Sequence, residues 1–256
     1  MVLIGAGNVA WHLGQQLQRT RAQVIHVHSR TASSARAVAE RLDCAYGTDV
    51  GAIATDADLY LLAVSDGQIA AVTQQLAAHL PSGALVVHTS GATPSSVLSE
   101  YFARCGVFYP LQTFSKDRAV DFRQVPLCLL AQQPEDYRWL RALAAQMSDS
   151  VTAVSDAQRL RLHLAAVFVN NFTNHLQHIS QSLVETEALP GELLLPLLRE
   201  TIAKLDELPP AAAQTGPARR NDEATLERHL ALLQATPDWQ AVYQVLSDSI
   251  RLTSEV

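Results

Sequence analysis

Val2-Leu3-Ile4-Gly5-Ala6-Gly7-Asn8-Val9-Ala10 lies at the start of the chain and decides its fold. A short apolar run leads into Gly-x-Gly-x-x-Ala and then into a helical pattern. This order is typical of a strand that hands a nucleotide pyrophosphate to a helix N-terminus. Gly5 permits the tight turn, and Gly7, which lacks a Cβ, lets the backbone approach a phosphate. We therefore assign Gly5, Ala6, Gly7, Asn8 and Val9 to a dinucleotide site, where N–H groups and the helix dipole attract the anion. The alternative is a tight turn that binds no ligand.

Composition and charge argue against several classes of protein. The 256 residues are 48% hydrophobic and 17% charged, which is enough material for one large core or two modest ones. The formal net charge of −6 shows no basic excess, which argues against a nucleic-acid partner. No apolar run reaches the ~18 residues that span a bilayer, so no membrane partner is expected. The start of the chain shows no secretory pattern, and the three cysteines lack metal or disulfide spacing, so we expect a cytoplasmic protein.

Strand-like and helix-like patterns alternate as far as residue 154. The alternation predicts an α/β fold over residues 1–154, with a doubly wound, Rossmann-type sheet of mainly parallel strands. Within this domain we predict a helix over 94–104, because Pro94 suits the first turn of a helix, and strands over 106–109 and 126–130.

Only helical patterns remain from residue 155 onward, so residues 155–256 are predicted to form an all-α second domain. No glycine or proline occurs between Asp156 and Glu187, which predicts about 30 residues, or roughly 45 Å, of uninterrupted α-helix. The remainder is predicted to comprise a helix over 193–208, a loop over 209–222, and helices over 223–233 and 238–252.

The end of the second predicted strand indicates which dinucleotide binds. In the NAD-specific version of this fold, an acidic residue at that position accepts a hydrogen bond from the ribose 2′-hydroxyl. Here the sequence is Ser29-Arg30-Thr31, without a carboxylate to repel a 2′-phosphate, and Arg30 can pair with that phosphate. We therefore predict NADP as the cofactor; alternatively, Arg30 is a solvated residue in an ordinary turn. Val64 and Ser65 end a later strand at the edge where such sheets bind ligands, and we assign them to the same site.

Two loops that follow later strands are candidate substrate-binding segments. His88-Thr89-Ser90-Gly91 leaves one strand, and Ser90 and the Gly91 backbone are predicted to bind substrate oxygens near the nicotinamide. Gln112 and Thr113 leave the next strand and are also predicted to contact the substrate. The alternative for this second loop is a rigid segment that packs the two domains together.

The long predicted helix carries polar residues within an apolar sequence. His163 and Asn170 recur at helical spacing on one face, with Asn171 on the neighbouring face. Imidazole exchanges protons near neutral pH, so His163 is a candidate acid–base group for a carbonyl or imine substrate; the alternative is a structural histidine. His175 and His178 lack a third ligand, so no metal site is predicted.

In combination, these motifs resemble one family, the bacterial Rossmann-like proteins with a C-terminal DUF2520 domain, which are often labelled NADP oxidoreductases. This family is similar to a wider group of pyrroline-5-carboxylate reductases, 3-hydroxyisobutyrate dehydrogenases and 6-phosphogluconate dehydrogenases. The resemblance implies that the helical domain builds a homodimer and closes the cleft over a small-molecule substrate. The segments that carry it run in order along the chain: Gly5-Ala6-Gly7-Asn8-Val9-Ala10, His88-Thr89-Ser90-Gly91, Tyr109-Pro110-Leu111-Gln112-Thr113-Phe114, His163-Leu164-Ala165-Ala166-Val167-Phe168-Val169-Asn170-Asn171-Phe172, Thr215-Gly216-Pro217 and Arg220-Asn221-Asp222.

One departure from the wider group concerns the acid–base residue. In the hydroxyisobutyrate-type enzymes, a lysine stands just before an asparagine pair on the long helix. If Asn170-Asn171 align with that pair, Val167 stands near the lysine position. His163, one helical turn earlier, is the candidate replacement.

We therefore predict an NADP-dependent oxidoreductase that transfers a hydride between nicotinamide and a small keto or hydroxy acid or an imine. His163 is predicted to give or take the proton, and Asn171 to orient the substrate. Arg220, in a loop dense in hydrogen-bonding groups, is predicted to bind the anionic group of the substrate, unless that loop is only a solvated turn. One alternative is a non-catalytic NADP(H)-binding sensor or scaffold dimer. Another is hydride exchange with a deazaflavin, as in the F420-dependent NADP oxidoreductases, whose NADP-binding domain the N-terminal part also resembles.

Overall fold

A computed structural model describes residues 1–254 of the chain. These residues divide into two compact units, one of Met1–Asn170 and one that begins at Asn171. The first unit holds an eight-stranded sheet and its covering helices, and the second is helical. The predicted fold class, a doubly wound, mainly parallel sheet followed by helices, is therefore confirmed.

In chain order the strands of the sheet are β1 (Val2–Ile4), β2 (His26–His28), β3 (Ala45–Gly47), β4 (Tyr60–Leu62), β5 (Leu85–His88), β6 (Arg104–Pro110), β7 (Leu127–Ala131) and β8 (Val151–Ala153). Their order in the sheet is β3-β2-β1-β4-β5-β6-β7-β8, and among the described strands only the β6–β7 pair is antiparallel. The ends of β1, β2, β4 and β5 lie level with one another at one edge of the sheet, because Ile4 pairs with His28 and Leu62, and Leu62 pairs with His88.

The sheet is buried on both faces, as a doubly wound fold requires. Alternate residues of β1 enter two separate cores, with Leu3 in one cluster and Ile4 in the other. Leu61 and Leu62 of β4 divide in the same way. The helices of this unit are α1 (Asn8–Leu17), α2 (Ala32–Leu42), α3 (Asp66–Ala77), α4 (Ser96–Ser99), α5 (Pro134–Ala144) and α6 (Asp156–Ala166).

The helix predicted over 94–104 is wrong in length, because α4 has only four residues and Arg104 already begins β6. A contact distant in sequence explains the early strand. The Arg104 guanidinium pairs with the buried Asp136 carboxylate of α5, with Nη2 2.5 Å from Oδ1. Arg104 is also held in the parallel ladder opposite Leu85. Tertiary pairing thus overrides the local helical pattern.

The described part of the second unit contains helices, loops and no strand, and none of the helices within residues 1–254 is both long and apolar enough to cross a membrane. The loop predicted over 209–222 is wrong in one respect, because it contains a short helix that begins at Pro210. Proline suits the first turn of a helix, where its missing N–H is not needed. The helices of this unit are α7 (Thr173–Glu185), α8 (Leu195–Ala203), α9 (Pro210–Ala213), α10 (Glu223–Leu232) and α11 (Pro237–Ser254).

The long helix predicted from Asp156 to Glu187 is not uninterrupted. A π-helical turn, Val167–Phe172, separates α6 from α7. Because π-helical bonds run from residue i to i+5, the α-helical spacing between His163 and Asn170 does not apply across this turn. The prediction that these two side chains share one face therefore loses its geometric basis.

Candidate functional site

A cavity of about 560 Å³ opens at the edge of the sheet where β1, β2 and β4 end. It is lined by the Gly5-Ala6-Gly7 loop, by Ser29-Arg30-Thr31 after β2 and by Val64-Ser65 after β4. Eight of the ten residues predicted to bind the cofactor thus surround one cavity. Strands that are distant in sequence end beside each other here, which is why the sheet order assembles the site.

The glycine loop fits an approaching anion. Gly5 has φ +117°, and a Cβ there would lie 2.2 Å from the Ala63 carbonyl oxygen, so the turn requires glycine. Gly7 is different, because a Cβ there would meet nothing within 4 Å of the protein itself. Gly7 is the N-cap of α1 and offers no side-chain cap, so the N–H groups of the first turn lack intrahelical acceptors. These features fit a bound pyrophosphate.

Asn8 and Val9, the two other predicted cofactor residues, lie in the first turn of α1 and do not line the cavity. The Asn8 side chain donates through Nδ2 to the Phe114 carbonyl oxygen at 2.8 Å. Val9 packs against one of the two cores. Both side chains serve the protein's own packing, so what these residues can offer a dinucleotide is their backbone N–H groups.

The rim of the cavity after β2 carries an exposed cation. Arg30 is exposed, whereas the Thr31 hydroxyl donates to Ser34 Oγ at 2.7 Å and the Ser29 N–H donates to the Gly47 carbonyl at 3.1 Å. Among the residues that the structure describes, no aspartate or glutamate lines this cavity. A 2′-phosphate would therefore meet a guanidinium and no opposing carboxylate at this rim.

Ser90, a predicted substrate contact, shapes the loop after β5. Its hydroxyl oxygen accepts from the N–H groups of Ala92 (3.1 Å) and Thr93 (2.9 Å), and its proton is directed at Thr93 Oγ1 (3.0 Å). A hydroxyl has one donor and two acceptor positions, and all three are used here. Because no hydrogen bond remains for a substrate, we drop the Ser90 side chain from the proposed site.

His88, at the end of β5, belongs to the structure of the same loop. Its Nδ1 accepts from the Ser90 N–H at 3.2 Å, and the side chain is fully buried. Burial, reinforced by the nearby Arg159 guanidinium, lowers the pKa of His88 to about 4. The ring is therefore neutral at physiological pH and acts as a fixed acceptor.

Two residues of α6 fasten this loop from the other side. The buried guanidinium of Arg159 donates to the Thr93 carbonyl and places Nη1 2.7 Å from Asp156 Oδ1. Asp156 in turn accepts from the Ser95 N–H at 3.1 Å and from its hydroxyl at 2.8 Å. Burial raises the pKa of Asp156, but the hydrogen bonds from Ser95 and Arg159 outweigh it, so the pKa is lowered overall. Asp156 is thus held as a carboxylate.

His163 lies against Gly91, and Tyr109 completes the contact. A Cβ on Gly91 would lie 2.5 Å from His163 Nδ1 and 2.8 Å from Tyr109 Cζ, so only glycine fits beneath the two rings. The Tyr109 hydroxyl oxygen lies 3.2 Å from His163 Nδ1. Burial raises the pKa of Tyr109 to about 12, so it remains a phenol at neutral pH. The structure thus brings two predicted site residues together and adds Tyr109, which the sequence interpretation left out although it precedes the Gln112 loop.

Four further residues carry a predicted substrate role. Gln112 and Thr113 are exposed, and Gln112 Oε1 accepts the Thr113 N–H at 2.8 Å. Asn171 and Arg220 are exposed residues of the second unit, and Arg220 lies near Asp222, the side chain that caps α10. The roles predicted for these four residues stay predictions.

The second unit has a cavity of its own, of about 400 Å³. Its walls come mainly from apolar side chains of α7 and α11, including Trp239, and from residues 215–218 and Leu233. His175 and His178 lie on α7 with ring centroids 6.3 Å apart. Over the described residues, no group of three or more His, Cys, Asp or Glu side chains is arranged to hold a metal ion.

Two family models match the chain, a Rossmann-like domain over residues 1–112 and a domain of unknown function, DUF2520, over residues 125–250. Among solved structures, the putative NADP oxidoreductase BF3122 from Bacteroides fragilis is 42% identical, covers 98% of this chain and 96% of its own, and superposes with a TM-score of 0.92. The chain belongs to the Rossmann-like proteins with a DUF2520 domain. The family resemblance seen in the sequence is thereby confirmed.

More distant structures share the fold of this DUF2520 protein. A reductive aminase from Aspergillus terreus, in complex with NADPH and ethyl levulinate, is 18% identical, covers 98% of this chain and 93% of its own, and has a TM-score of 0.66. A pyrroline-5-carboxylate reductase from Coxiella burnetii is 17% identical, covers 99% of this chain and 96% of its own, and has a TM-score of 0.60. Likeness at this level shows the fold alone. No protein in the curated set matches the chain significantly.

Proposed function

We propose that this DUF2520 protein is an NADP-dependent oxidoreductase that transfers a hydride between nicotinamide and a small keto or hydroxy acid or an imine. The observation that supports the proposal best is the cavity where the glycine loop meets Arg30, with no carboxylate of the described residues lining it. The names of its relatives agree, since the Bacteroides fragilis protein is named as an NADP oxidoreductase and the reductive aminase holds NADPH. A cytoplasmic location stays a prediction from the sequence.

In this proposal the N–H groups at the start of α1 hold the pyrophosphate, and Gly7 keeps that approach open. Arg30 pairs with the 2′-phosphate through a charge-assisted hydrogen bond, which gives NADP its advantage over NAD. Ser65, the N-cap of α3, does not use its side chain as a cap, so its hydroxyl is available to the same ligand.

His163 is the proposed acid–base group. The bound dinucleotide supplies or accepts the hydride. Tyr109 stays a phenol and presents its hydroxyl oxygen to Nδ1 of His163. With the Nδ1–H donating to that oxygen, Nε2 is the ring nitrogen that exchanges a proton with the substrate. In the protonated ring, the Nε2–H gives its proton to a carbonyl or imine and leaves a neutral imidazole; in the reverse direction the free Nε2 of the neutral ring takes the proton back. Gly91 lets the ring lie directly on the loop that follows β5.

Titration with NADPH and NADH tests the cofactor assignment. Native protein is expected to bind NADPH more tightly, and Arg30→Glu to weaken NADPH by about tenfold or more with a much smaller effect on NADH. Arg36→Glu is the matched control, because Arg36 lies on α2 and pairs with Glu40 at 2.6 Å. An equal loss for both dinucleotides in Arg30→Glu would contradict the 2′-phosphate assignment.

A turnover screen with NADPH and a panel of small oxo acids and imines tests the reaction class. Oxidation of NADPH with at least one of them is the expected result. Tight NADPH binding with no turnover on any substrate would favour a sensor or scaffold instead. Reduction of a deazaflavin alone would place the protein with the F420-type oxidoreductases.

We also propose that the second unit forms a homodimer. Seven large apolar side chains are exposed within twenty residues, more than an isolated protein surface usually presents together. Light scattering on native protein is expected to give the mass of a dimer. Leu197→Glu should give a monomer, whereas Leu232→Glu, an exposed position outside this segment, should not. A native monomer would contradict the proposal. The seven side chains are Leu189, Leu193, Leu195, Leu197, Ile202, Leu205 and Leu208.

A further inference from the structure

The segment after β6 crosses the start of α1 and is fastened to it. Asn8 Nδ2 donates to the Phe114 carbonyl at 2.8 Å, and His12 Nε2 lies 2.8 Å from the Ser115 carbonyl oxygen. The His12 ring also stacks on Phe114, with centroids 5.1 Å apart. This contact places the next residue, Lys116, beside the glycine loop.

The side chain of Lys116 reaches the glycine loop and contacts it directly. Its Nζ donates to the Ala6 carbonyl oxygen at 3.1 Å and lies 5.3 Å from the centroid of the Trp11 ring. An ammonium group has three donors, and within residues 1–254 this carbonyl is its one hydrogen-bond acceptor. No carboxylate in that part of the chain forms an ion pair with it, whereas the other lysine of the sequence, Lys204, lies 4.0 Å from Glu200.

The position of this charge matters because Ala6 is the middle residue of Gly5-Ala6-Gly7, which lines the dinucleotide cavity. The N–H groups of the first turn of α1 already present a partial positive charge there. Lys116 adds a full positive charge from the loop after β6, which the Gly-x-Gly-x-x-Ala motif does not include. Within residues 1–254, the half-buried ammonium group of Lys116 is hydrogen-bonded to a carbonyl and to no other acceptor, so a bound anion would stabilise it strongly.

We propose that Lys116 binds the pyrophosphate of the dinucleotide. The inference rests on the proposed function, because it assumes that a dinucleotide occupies the cavity. It adds a residue from the loop after β6 to the cofactor site, and it differs from the role of Arg30. A pyrophosphate contact stabilises NADPH and NADH alike, whereas a 2′-phosphate contact distinguishes them.

Covalent labelling of lysines tests the proposal directly, because the chain has only two. Native protein is treated with an amine-specific acetylating reagent, with and without saturating NADPH or NADH, and modification at each lysine is followed by mass spectrometry. Both dinucleotides are expected to slow the labelling of Lys116 by about tenfold or more, whereas Lys204, the internal control, labels at an unchanged rate. Unchanged labelling of Lys116 while NADPH is bound would overturn the inference.

Variants give an independent readout. Lys116→Met keeps most of the aliphatic side chain and removes the charge, so the Kd for NADPH and for NADH should rise by the same factor, about tenfold. Lys116→Arg restores a cation and should recover most of the affinity. If Lys116→Met changes neither Kd, or if it affects NADPH alone, the pyrophosphate contact is wrong. If native protein binds neither dinucleotide, the proposed function fails as well, and binding to native protein separates the two cases.

Discussion

The Tyr109 hydroxyl oxygen lies 3.2 Å from Nδ1 of His163, and both rings rest on the backbone of Gly91. Tyr109 is buried on β6, so its orientation is fixed by the sheet. A rigid phenol that faces one ring nitrogen determines which nitrogen of His163 is left to face a substrate. Through Tyr109, the sheet therefore fixes the orientation of the ring that is proposed to exchange a proton with the substrate.

Tyr109→Phe should lower kcat by about tenfold, because it removes the hydrogen bond to His163 and keeps the buried ring. The Kd for NADPH should not change, since Tyr109 does not line the dinucleotide cavity. Steady-state kinetics and a binding titration on the same preparation make the comparison. An unchanged kcat would show that Tyr109 does not assist His163.

Gly91→Ala should lower kcat more than Tyr109→Phe does. The new Cβ would lie 2.5 Å from His163 Nδ1, so the ring must move from its place on the loop. Even small displacements of a catalytic group are costly to the rate. Gly83→Ala is the control, because a Cβ at that position would meet nothing within 4 Å. Equal activity of the two variants would show that the position of His163 is unimportant.

Gly7→Ala separates ligand binding from folding. A Cβ at Gly7 would meet nothing within 4 Å of the protein, so thermal unfolding should be nearly unchanged. The same methyl group would stand where a phosphate approaches, so the Kd for NADPH should rise by about tenfold or more. Gly5→Ala should instead fail to fold, because its Cβ would lie 2.2 Å from the Ala63 carbonyl oxygen. Unaltered NADPH affinity in Gly7→Ala would argue against the glycine loop as the phosphate site.

The stability of the protein should fall as the pH decreases from 6.5 towards 4. His88 takes up a proton near pH 6.5 in the unfolded chain but only near pH 4 in the folded protein. The unfolded state therefore binds more protons in this range, and the free energy of unfolding decreases by up to about 3 kcal/mol as the pH falls. His26 and His28, whose pKa values burial also lowers, add to the same trend. The contribution of His88 disappears once the pH is about one unit above 6.5, where the unfolded chain also carries a neutral imidazole.

His88→Asn isolates this contribution. An asparagine oxygen can accept the Ser90 N–H in place of Nδ1, so the loop keeps its hydrogen bond. Denaturant unfolding at a series of pH values should show a shallower slope for the variant than for native protein. The same slope in both would mean that the buried histidine does not control acid stability.

The sequence was most informative where structure depends on neighbouring residues. The turn at Gly5 and the start of α1 at Asn8 could be predicted because each depends on the backbone conformation of a few adjacent residues. The end of β2 at His28 was correct for the same reason, since an apolar alternation stops there at a serine. Together with Val64 and Ser65 after β4, these segments placed eight predicted residues around one cavity.

Features that depend on distant partners were missed. The hydroxyl of Tyr109 finds its partner 54 positions away, and Lys116 reaches a carbonyl 110 positions back, so no local pattern marks either residue. Arg104 joins β6 instead of a helix because it pairs with the buried Asp136. The π turn at Val167–Phe172 contains neither glycine nor proline, and ordinary helical residues give no sign of it.

The most direct test of the proposed oxidoreductase compares native protein with His163→Ala on the substrate that gives the fastest NADPH oxidation in the screen. We expect His163→Ala to bind NADPH with unchanged Kd and to lose about a hundredfold or more in kcat, since proton transfer has lost its donor. Wild-type kcat in His163→Ala, with NADPH bound equally well, would contradict the assignment of His163 as the acid–base group.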